Sequence, residues 1–389
     1  MSSTRLGDLV DDGSLKFSDG YRTKRSELAD TGYRILRAAE VDAGIFPTGY
    51  DFVARVHEQA IGDKQVRPGD VVLTTKGTVG RVAFISTIAE PMVYSPQLCF
   101  FRTRDHGRLQ RRYLGYWFKS PHFLQQASHL MSNTDMAPYL SLRDIRSLMI
   151  TLPPLPEQQA IAAVLGALDD KIAANTALAR TADNLARVKF AAMTKEVKAP
   201  LSQLARFVNG KAFTKGASGA GRVVIRIAEL NSGIGGSTVY NDIDVADDHL
   251  ARAGDLLFAW SGSLTVHRWF RAEGIINQHI FKVIPADGCP IWLVHQVLLH
   301  RLEEFRAIAA DKATTMGHIQ RRHLDDTVAV PDASLVARES GLMTGLWQTA
   351  LQAEQENLTL ATLRDTLLPS LMSGRLRVKD AERQVEDAV

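Results

Sequence analysis

The chain carries the same series of short sequence landmarks twice, in the same order. The offset between partners falls steadily along the chain, from 195 residues at the first pair to 178 at the last, as a few short deletions in the second copy would produce. A repeat of this length decides the architecture before any local motif does, so two equivalent modules are expected. The paired landmarks are Leu6 and Leu9 with Leu201 and Leu204, Ala39-Glu40 and Gly44 with Ala228-Glu229 and Gly233, Gly69-Asp70 with Gly254-Asp255, Gln97 and Phe100 with Gln278 and Phe281, Thr134 and Met136 with Thr314 and Met316, and Pro153 with Pro331.

The bulk composition fits a folded cytoplasmic protein with more than one domain. At 389 residues the chain is too long for one compact core, and 45% hydrophobic against 23% charged residues supplies ample core material. No apolar run is long enough to span a membrane, and the segment from Met1 to Gly13 lacks the apolar stretch of a signal peptide. Only two cysteines occur, Cys99 and Cys289, each alone in a strand-like or loop segment, so neither a disulfide framework nor a zinc cluster is available and inert core thiols are predicted.

Each copy begins with short strands and continues into a helix. The strands are rich in β-branched and apolar residues bounded by Gly or Pro, and the helices have apolar positions at three- and four-residue steps. The predicted strands are Tyr33–Leu36, Val71–Thr75, Leu98–Arg102, Val223–Ile227, Leu256–Ala259 and Ile280–Ile284, and the helices lie near Arg111–Leu130 and Ile291–Ala310. This alternation predicts two α/β (α+β) domains in tandem, related by a pseudo-twofold axis.

Each copy ends in a much longer helix. The first is predicted from Glu157 to about Glu196, and the second after Pro331 until Pro369 and Gly374. Apolar positions alternate at steps of four and three, which is typical of a coiled-coil seam. The predicted seams are Ile161, Leu165, Leu168, Ile172, Asn175, Ala179 and Ala182 in the first helix, and Leu342, Leu346, Thr349, Ala353, Glu356, Leu360, Leu363 and Leu367 in the second.

Two helices of about 40 residues would each be about 60 Å long, and neither can bury its apolar stripe alone. We therefore expect them to pack on each other, antiparallel, as a coiled coil. The polar residues Asn175 and Glu356 at core positions would fix the register of that pair. The alternative is that each helix lies separately on its own domain.

Basic residues cluster although the whole chain is only mildly basic, with a net charge of +3. Six basic residues stand between Arg102 and Lys119 against one acidic residue, Asp105. The basic residues of that run are Arg102, Arg104, Arg108, Arg111, Arg112 and Lys119, and smaller sets are Lys211, Lys215 and Arg222, and His267, Arg268 and Arg271. Such clusters indicate nucleic-acid binding, and the alternative is an ordinary solvated face.

The sequence contains no recognised catalytic motif. A phosphate-binding loop, the H-E-x-x-H zinc motif, a Cys/His cluster and the N-P-P-[FY] or D-P-P-[FY] tetrapeptide of adenine methyltransferases are all missing. The glycine-rich run Gly216–Gly221 precedes a predicted strand instead of following one, so it is interpreted as a flexible turn. We predict no catalytic residue and no metal site.

In both copies Gly-Asp leads through a short strand into a turn of small and polar residues. The first turn carries Lys76 and the second Ser261 and Ser263. Glycine allows the backbone to approach another surface closely, and these side chains supply hydrogen-bond donors for phosphates or base edges. An ordinary hairpin tip is the alternative.

Three stretches of the sequence resemble the specificity subunit of type I restriction-modification enzymes, and together they span the whole chain. They are L-P-P-L-P-E-Q-Q-A-I at 152–161 with L-D-D-K-I at 168–172, G-D-L-L-F-A-W-S-G-S at 254–263 with I-N-Q-H-I-F at 276–281, and L-R-D-T-L-L-P-S-L-M-S-G at 363–374. The second copy departs from the first after Pro331, where Asp332-Ala333-Ser334-Leu335 replaces Pro154-Leu155-Pro156-Glu157 and leaves that helix start less defined.

The resemblance implies a noncatalytic DNA-recognition subunit built from two target-recognition domains. Each would read one half-site of a bipartite, asymmetric double-stranded DNA target, and the helices would hold the domains apart and dock two methyltransferase subunits. Methylation with S-adenosylmethionine and cleavage with ATP and Mg would belong to the methyltransferase and restriction/translocase subunits, with no cofactor in this chain. The implied division is residues 1–156 for the first domain, 157–198 for a central helix, 199–332 for the second domain, 333–377 for a distal helix and 378–389 for a tail.

The basic clusters and the two turns supply the candidate DNA contacts. The candidates are Lys76, Arg81, Arg102, Arg104, Arg111 and Arg112 in the first domain, and Lys211, Lys215, Ser261, Ser263, His267 and Arg268 in the second. Two other functions stay open from the sequence. One is an enzyme that acts on nucleic acid by itself, and the other is a coiled-coil scaffold that binds only proteins.

Overall fold

The computed structural model describes residues 2–41, 45, 47–104, 107–131, 138–311 and 317–387. They form two compact units, Met1–Asp170 with Ala361–Val389, and Lys171–Leu360. The repeat landmarks Gly44, Thr134, Met136, Thr314 and Met316 lie outside the described residues. No helix in the described ranges combines the length and the apolar character that crossing a bilayer requires.

The first unit contains two four-stranded sheets and a two-stranded ribbon. The antiparallel sheet has the order Leu15–Asp19, Leu98–Thr103, Val71–Thr74, Val82–Phe84. The mixed sheet has the order Leu28–Ala29, Phe52–Val53, Tyr33–Leu36, Met92–Tyr94, and its last two strands are parallel. Ser2–Arg5 and Met149–Leu152 form the ribbon. Val72, Tyr94 and Phe100 belong to a buried cluster that joins the two sheets.

Short helices cover the sheets of the first unit. They are Leu6–Asp11, Glu58–Ile61, Arg111–Phe118, Pro121–Met131, Leu142–Ser147 and Val378–Glu386, with 3-10 turns at Arg25–Glu27, Ala38–Glu40, Arg55–His57 and Gly62–Lys64. The prediction of one helix near Arg111–Leu130 is wrong, because the chain forms two. Pro121 has no N–H to continue the first helix but fits the first turn of the next one.

The second unit repeats this topology. Its antiparallel sheet has the order Ala205–Asn209, Ile280–Pro285, Leu256–Ala259, Thr265–Arg268, and its mixed sheet Tyr240–Asn241, Arg222–Ile225, Gly274–Ile276, Leu250–Ala251. Val197–Pro200 and Thr327–Val330 form the ribbon. The helices are Leu201–Leu204, Ile227–Ser232 and Ile291–Asp311, with 3-10 turns at Asp247–His249 and Arg321–Leu324. The prediction of two equivalent α/β domains is confirmed.

The strand register corrects one pair of sequence landmarks. Val71 pairs with Phe101 and its counterpart Leu256 with Val283. Gln97 is therefore equivalent to His279 and Phe100 to Lys282, so the pairing of Gln97 and Phe100 with Gln278 and Phe281 is wrong by one residue. Successive side chains in a strand point to opposite faces, so a slip of one residue exchanges a buried position for an exposed one.

The repeated Gly-Asp dipeptide makes a tight turn at the start of a central strand. Gly69 and Gly254 have φ of 92° and 94°, a conformation that glycine adopts without steric cost. Asp70 accepts a hydrogen bond from the backbone N–H of Arg67 at 3.0 Å, and Asp255 accepts one from Arg252 at 2.8 Å. The dipeptide is thus repeated for the backbone conformation that it stabilises.

The two long helices run over Leu155–Ala192, the central helix, and Ala333–Met372, the distal helix. The distal helix starts without the proline of the first copy because the Asp332 carboxylate accepts hydrogen bonds from the Leu335 N–H at 2.9 Å and the Ser334 hydroxyl at 2.7 Å. Of the two residues predicted to end this helix, Pro369 lies inside its last turn. Gly374, with φ of 70°, follows the last turn instead.

Within the second unit the two helices pack against each other and run antiparallel. Asn175 Nδ2 donates to Glu356 Oε2 at 2.8 Å, and Lys171 Nζ lies 3.2 Å from the same carboxylate. Further along the central helix the buried partners lie earlier on the distal helix. They are Ala179 and Ala182 with Ala350 and Ala353, and then Ala186 and Phe190 in one cluster with Met343 and Trp347.

The predicted seam is wrong at the start of the distal helix. Leu342 is 44% exposed, and Met343 and Trp347 are buried in its place. This part of the helix packs against Trp292 of the second unit's core as well as against Phe190 of its partner helix, which rotates the buried stripe by one position.

Candidate nucleic-acid interface

In the first unit, three chain segments join through backbone hydrogen bonds where the strand Val71–Thr74 ends. The N–H of Thr75 donates to the carbonyl of Gln97 at 2.9 Å, and the carbonyl of Thr75 accepts from Leu140 at 2.9 Å. The N–H of Gly77 donates to the carbonyl of Pro138 at 3.2 Å. These bonds hold a polar, exposed loop surface in a fixed shape.

The second unit forms the same three bonds with different residues. Trp260 donates to His279 at 3.1 Å and accepts from Ile319 at 3.1 Å, while Gly262 donates to Gly317 at 2.9 Å. We call this arrangement the loop face. It comprises residues 75–77, 96–97 and 138–140 in the first unit, and 260–262, 278–279 and 317–319 in the second.

Exposed cations lie at the loop face of the first unit. Lys76 is exposed, and its Nζ lies 5.9 Å from the centre of the Tyr139 ring. Arg22 lines a groove together with Lys76 and Tyr139, and its side chain is 78% exposed. Arg81 is exposed at the far side of the turn, where its N–H donates to the Thr74 hydroxyl at 3.0 Å. Lys76 and Arg22 can approach an anionic partner without breaking a buried contact, whereas Arg81 Nη1 also donates to the carbonyl of Val41 at 3.4 Å.

Lys211 and Ser263 flank the loop face of the second unit and are exposed, and Lys215, four residues after Lys211, is exposed as well. The carbonyl of Lys211 accepts from the N–H of Gln278 at 2.9 Å, which fixes this lysine beside the loop face. Ser261, the equivalent of Lys76, is only 2% exposed. Its side chain can therefore reach a ligand only if that ligand enters the loop face closely.

The structure does not gather the basic run between Arg102 and Lys119 on one face. Arg102 donates from Nε and Nη2 to the buried carboxylate of Asp70, at 2.6 and 2.9 Å, and from Nη1 to the carbonyl of Asp63 at 2.8 Å. Its guanidinium also lies 4.2 Å from the Phe100 ring centre. These contacts assign Arg102 to the interior of the domain.

The other members of this run also point elsewhere. Arg112 donates to both carboxylate oxygens of Asp170 on the central helix, at 3.2 and 3.0 Å. Arg104 and Arg111 are exposed but lie beside Gly13 and Gly69, at the strand ends away from the loop face. A strand followed by a helix distributes neighbouring residues over several directions, so proximity in sequence does not make one charged surface.

Arg268 is a core residue of the second unit. Its Nη1 and Nη2 each donate to Asp183 at 3.1 Å, its Nε donates to Glu354 at 2.8 Å, and its guanidinium lies 4.8 Å from the Trp347 ring centre. The side chain is 4% exposed. Arg268 therefore ties the strand Thr265–Arg268 to both long helices.

His267 is neutral at physiological pH. Burial, together with the adjacent charges of Arg268 and Arg271, lowers the pKa of His267 to about 4. Burial likewise lowers the pKa of His295 to about 4, where it lies 4.9 Å from Trp347. Neither histidine supplies a positive charge for a phosphate.

Several loop-face residues escaped the sequence analysis. Arg22 lies in a mixed stretch with Lys24, Arg25 and Glu27 that forms no basic run, and Tyr139 and His279 carry no motif. Gln97 was noticed as a repeat landmark but not as a surface residue. These side chains come together only because distant segments pair, and no local sequence pattern predicts that proximity. Among the described residues, no group of three or more His, Cys, Asp or Glu could hold a metal ion.

Comparison with known proteins identifies related sequences and a related fold. Residues 4–181 match a family described as type I restriction modification DNA specificity domain. The type I restriction enzyme MjaVIII specificity subunit of Methanocaldococcus jannaschii is 26% identical over 173 residues, which are 43% of this chain and 39% of that protein. The matched part is thus about two fifths of the length of that relative.

The fold also matches over nearly the whole chain. A crystal structure of a type I restriction-modification system S subunit from M. genitalium superposes with a TM-score of 0.58 at 14% identity, covering 95% of each chain. At this identity the match shows a shared fold, with both domains and both long helices included in the covered length.

Proposed function

We propose that the chain is a specificity subunit of the type I restriction-modification family, whose model matches residues 4–181, and that it selects a bipartite DNA target, with each unit reading one half-site. The observation that supports this most is the pair of loop faces. Both units have the same backbone frame, and each presents exposed donors at its edge. Two similar frames with different side chains suit two half-sites of different sequence.

The proposed DNA contacts are the exposed residues at the loop faces. They are Arg22, Lys76 and Arg81 in the first unit, and Lys211, Lys215 and Ser263 in the second. Arg104 and Arg111 stay predictions as phosphate contacts outside the loop face. The proposed contacts exclude four predicted residues. Arg102, Arg112 and Arg268 are paired with carboxylates of their own unit, and His267 is buried.

Catalysis is assigned to other subunits of a complex. Two methyltransferase subunits would transfer a methyl group from S-adenosylmethionine, and a restriction/translocase subunit would use ATP and Mg. This chain would supply sequence selection and the platform on which they assemble.

Mapping methylated adenines in DNA from cells with the complete system tests the proposal. A methylated sequence in two separated parts is expected, and methylation without a bipartite sequence would refute it.

Neutralising cations at the loop faces is expected to reduce the salt dependence of DNA binding. Each lysine or arginine that contacts a phosphate contributes about 0.9 to the slope of log K against log salt concentration, because it releases counterions. Changing Lys76, Lys211 and Lys215 to Gln should therefore lower the slope by roughly 2 to 3. The measurement is DNA binding by the complex with its methyltransferase subunits across a salt series.

The matched control is Arg338→Gln on the distal helix, which removes an exposed cation far in sequence from both loop faces. It should leave the slope unchanged. An unchanged slope in the triple lysine variant would show that these residues do not meet phosphates. A complex without any salt-dependent DNA binding would favour a purely protein-binding scaffold.

The methyltransferase subunits need a docking surface, and the central helix has an exposed apolar stripe in the second unit. Leu178, Leu185 and Val188 are 48%, 44% and 65% exposed. Positions seven and three residues apart lie on one side of a helix, so these side chains form one patch. Exposed apolar patches of this kind mark protein–protein contacts. We propose that a methyltransferase subunit covers it.

Changing Leu178 and Leu185 to Asp is expected to abolish copurification with the methyltransferase subunits. A carboxylate buried in an apolar interface is left without a partner, which costs several kcal/mol of binding free energy. The melting temperature of the chain alone should hardly change, because both leucines are exposed in it. Leu342→Asp, at an exposed leucine of the distal helix, is the matched control. Normal assembly of the double variant would place the docking surface elsewhere.

A further inference from the structure

The two loop faces carry different side chains at structurally equivalent positions, and three of these positions have polar side chains in both units. Lys76, Gln97 and Tyr139 of the first unit correspond to Ser261, His279 and His318 of the second, because the same backbone bonds and bridges connect their segments. A shared backbone frame with exchanged side chains is what two recognition surfaces of different specificity require.

Gln97 presents an amide that is ready for a ligand. Its carbonyl is held by both the N–H and the hydroxyl of Thr75, at 2.9 and 3.2 Å. The side chain is exposed, and within the described ranges it makes no hydrogen bond. A fixed backbone with a free amide offers one donor and one acceptor side by side, which is the pattern that pairs with N6 and N7 of adenine in the major groove.

His279 occupies the equivalent turn position in a conformation that histidine rarely adopts. With φ of 73°, it is the only residue other than glycine with positive φ in the described part of the chain. Its ring packs against Trp260 in a tilted arrangement, with the ring centres 5.1 Å apart, and the indole N–H of Trp260 donates to Asn209 Oδ1 at 2.8 Å. Its buried Nδ1 has no hydrogen-bond partner among the described residues.

Glycine would fill this turn position without strain, so the backbone alone gives no reason for histidine. Strain of this kind persists where a side chain is needed in one place, and it concentrates at binding sites. The unpaired ring nitrogen of His279 and its contact with Trp260, whose indole is held by Asn209, independently support a binding role.

We propose that Gln97 and His279 determine the specificity of the two units, each by contacting a base edge of its half-site from an equivalent position. This inference rests on the proposed function. Gln97 contacts an adenine in the first half-site. His279 makes the corresponding base contact in the second half-site, and this difference contributes to the asymmetry of the target.

The test uses the complex with its methyltransferase subunits, on the target defined by methylation mapping and on single-base changes throughout both half-sites. Gln97→Ala is expected to reduce discrimination at one adenine-containing base pair of one half-site by roughly 5- to 150-fold. His279→Gly should do the same at one base pair of the other half-site. His279→Asn is the second variant at that position, because asparagine tolerates positive φ and keeps the backbone turn.

Gln203→Ala is the matched control, since Gln203 is exposed in the helix Leu201–Leu204 at the other end of the strand that leads to Asn209. It should leave every preference unchanged. Equal weakening on all DNA sequences, or unchanged preferences in the Gln97 and His279 variants, would overturn the inference. If the unaltered complex recognises no bipartite sequence, the proposed function itself fails, which is a different outcome of the same measurement.

Discussion

Inserting seven residues into each long helix is expected to widen the gap between the half-sites by about three base pairs and to leave both half-site sequences unchanged. Seven residues add about 10.5 Å of helix and keep the apolar seam facing its partner. One base pair occupies about 3.4 Å along the duplex. If the paired helices set the spacing, the original target should lose its methylation almost completely.

The insertions belong where the helices pack through alanines, between Ala179 and Ala182 and between Ala350 and Ala353. Both helices must be lengthened together, because they run antiparallel and a single insertion would break the packing of their partner residues. The gap is measured by mapping methylated adenines in cells that carry each variant.

As a control, the same number of residues inserted into the turn Gly216–Gly221 should leave the gap unchanged, because this turn lies outside both helices. An unchanged gap in the double-helix insertion, together with normal folding, would show that the helices do not determine the spacing.

Arg268→Ala is expected to destabilise the second unit by about 3 to 5 kcal/mol. The change leaves the carboxylates of Asp183 and Glu354 partly buried without their cation, and a broken buried pair costs this much because the remaining charge stays desolvated. For a unit of about this size, each kcal/mol lowers the melting temperature by about 2 to 4 °C. Thermal unfolding of the whole chain should therefore show a drop of about 6 to 20 °C.

The destabilisation caused by Arg268→Ala should be larger at neutral pH than at acidic pH. Burial already raises the pKa of Glu354 even with Arg268 beside it. Without the arginine the folded-state pKa should lie further above the unfolded value, so the destabilisation is full at neutral pH. It should shrink as the pH falls and the carboxylate of Glu354 becomes protonated.

Arg338→Ala provides the control, because Arg338 pairs with Glu339 at an exposed site where ion pairs contribute about 0 to 1 kcal/mol. A stable Arg268→Ala variant with an altered DNA preference would restore Arg268 as a DNA contact, as the basic cluster in the sequence suggests.

The repeat and the periodicities of the sequence predict most of the fold. Tyr33–Leu36 and Leu256–Ala259 form strands with the predicted bounds, and the helix predicted near Ile291–Ala310 is one residue longer. The long helices follow from the absence of glycine and proline over most of their length and from the seam. These signals succeed because they depend on local geometry, which a few neighbouring residues decide.

The charge pattern is a weaker guide to the site. Arg102, Arg112 and Arg268 find their partners in Asp70, Asp170 and Asp183, which lie 32, 58 and 85 residues away. The sequence shows the cations but not these carboxylates beside them. It therefore overestimates the basic surface of both domains.

The sequence by itself determined the duplication, the class of the two domains and the long helices, because repeated order and hydrophobic period are written along the chain. Only the tertiary structure decided which cations are exposed, that Gln97 corresponds to His279, and that the distal helix buries Met343 instead of Leu342. These features depend on which distant segments meet and in which register. A shift of one residue changes the side of a strand or helix that a side chain occupies, and the energy that selects among such shifts comes from packing against residues remote in sequence.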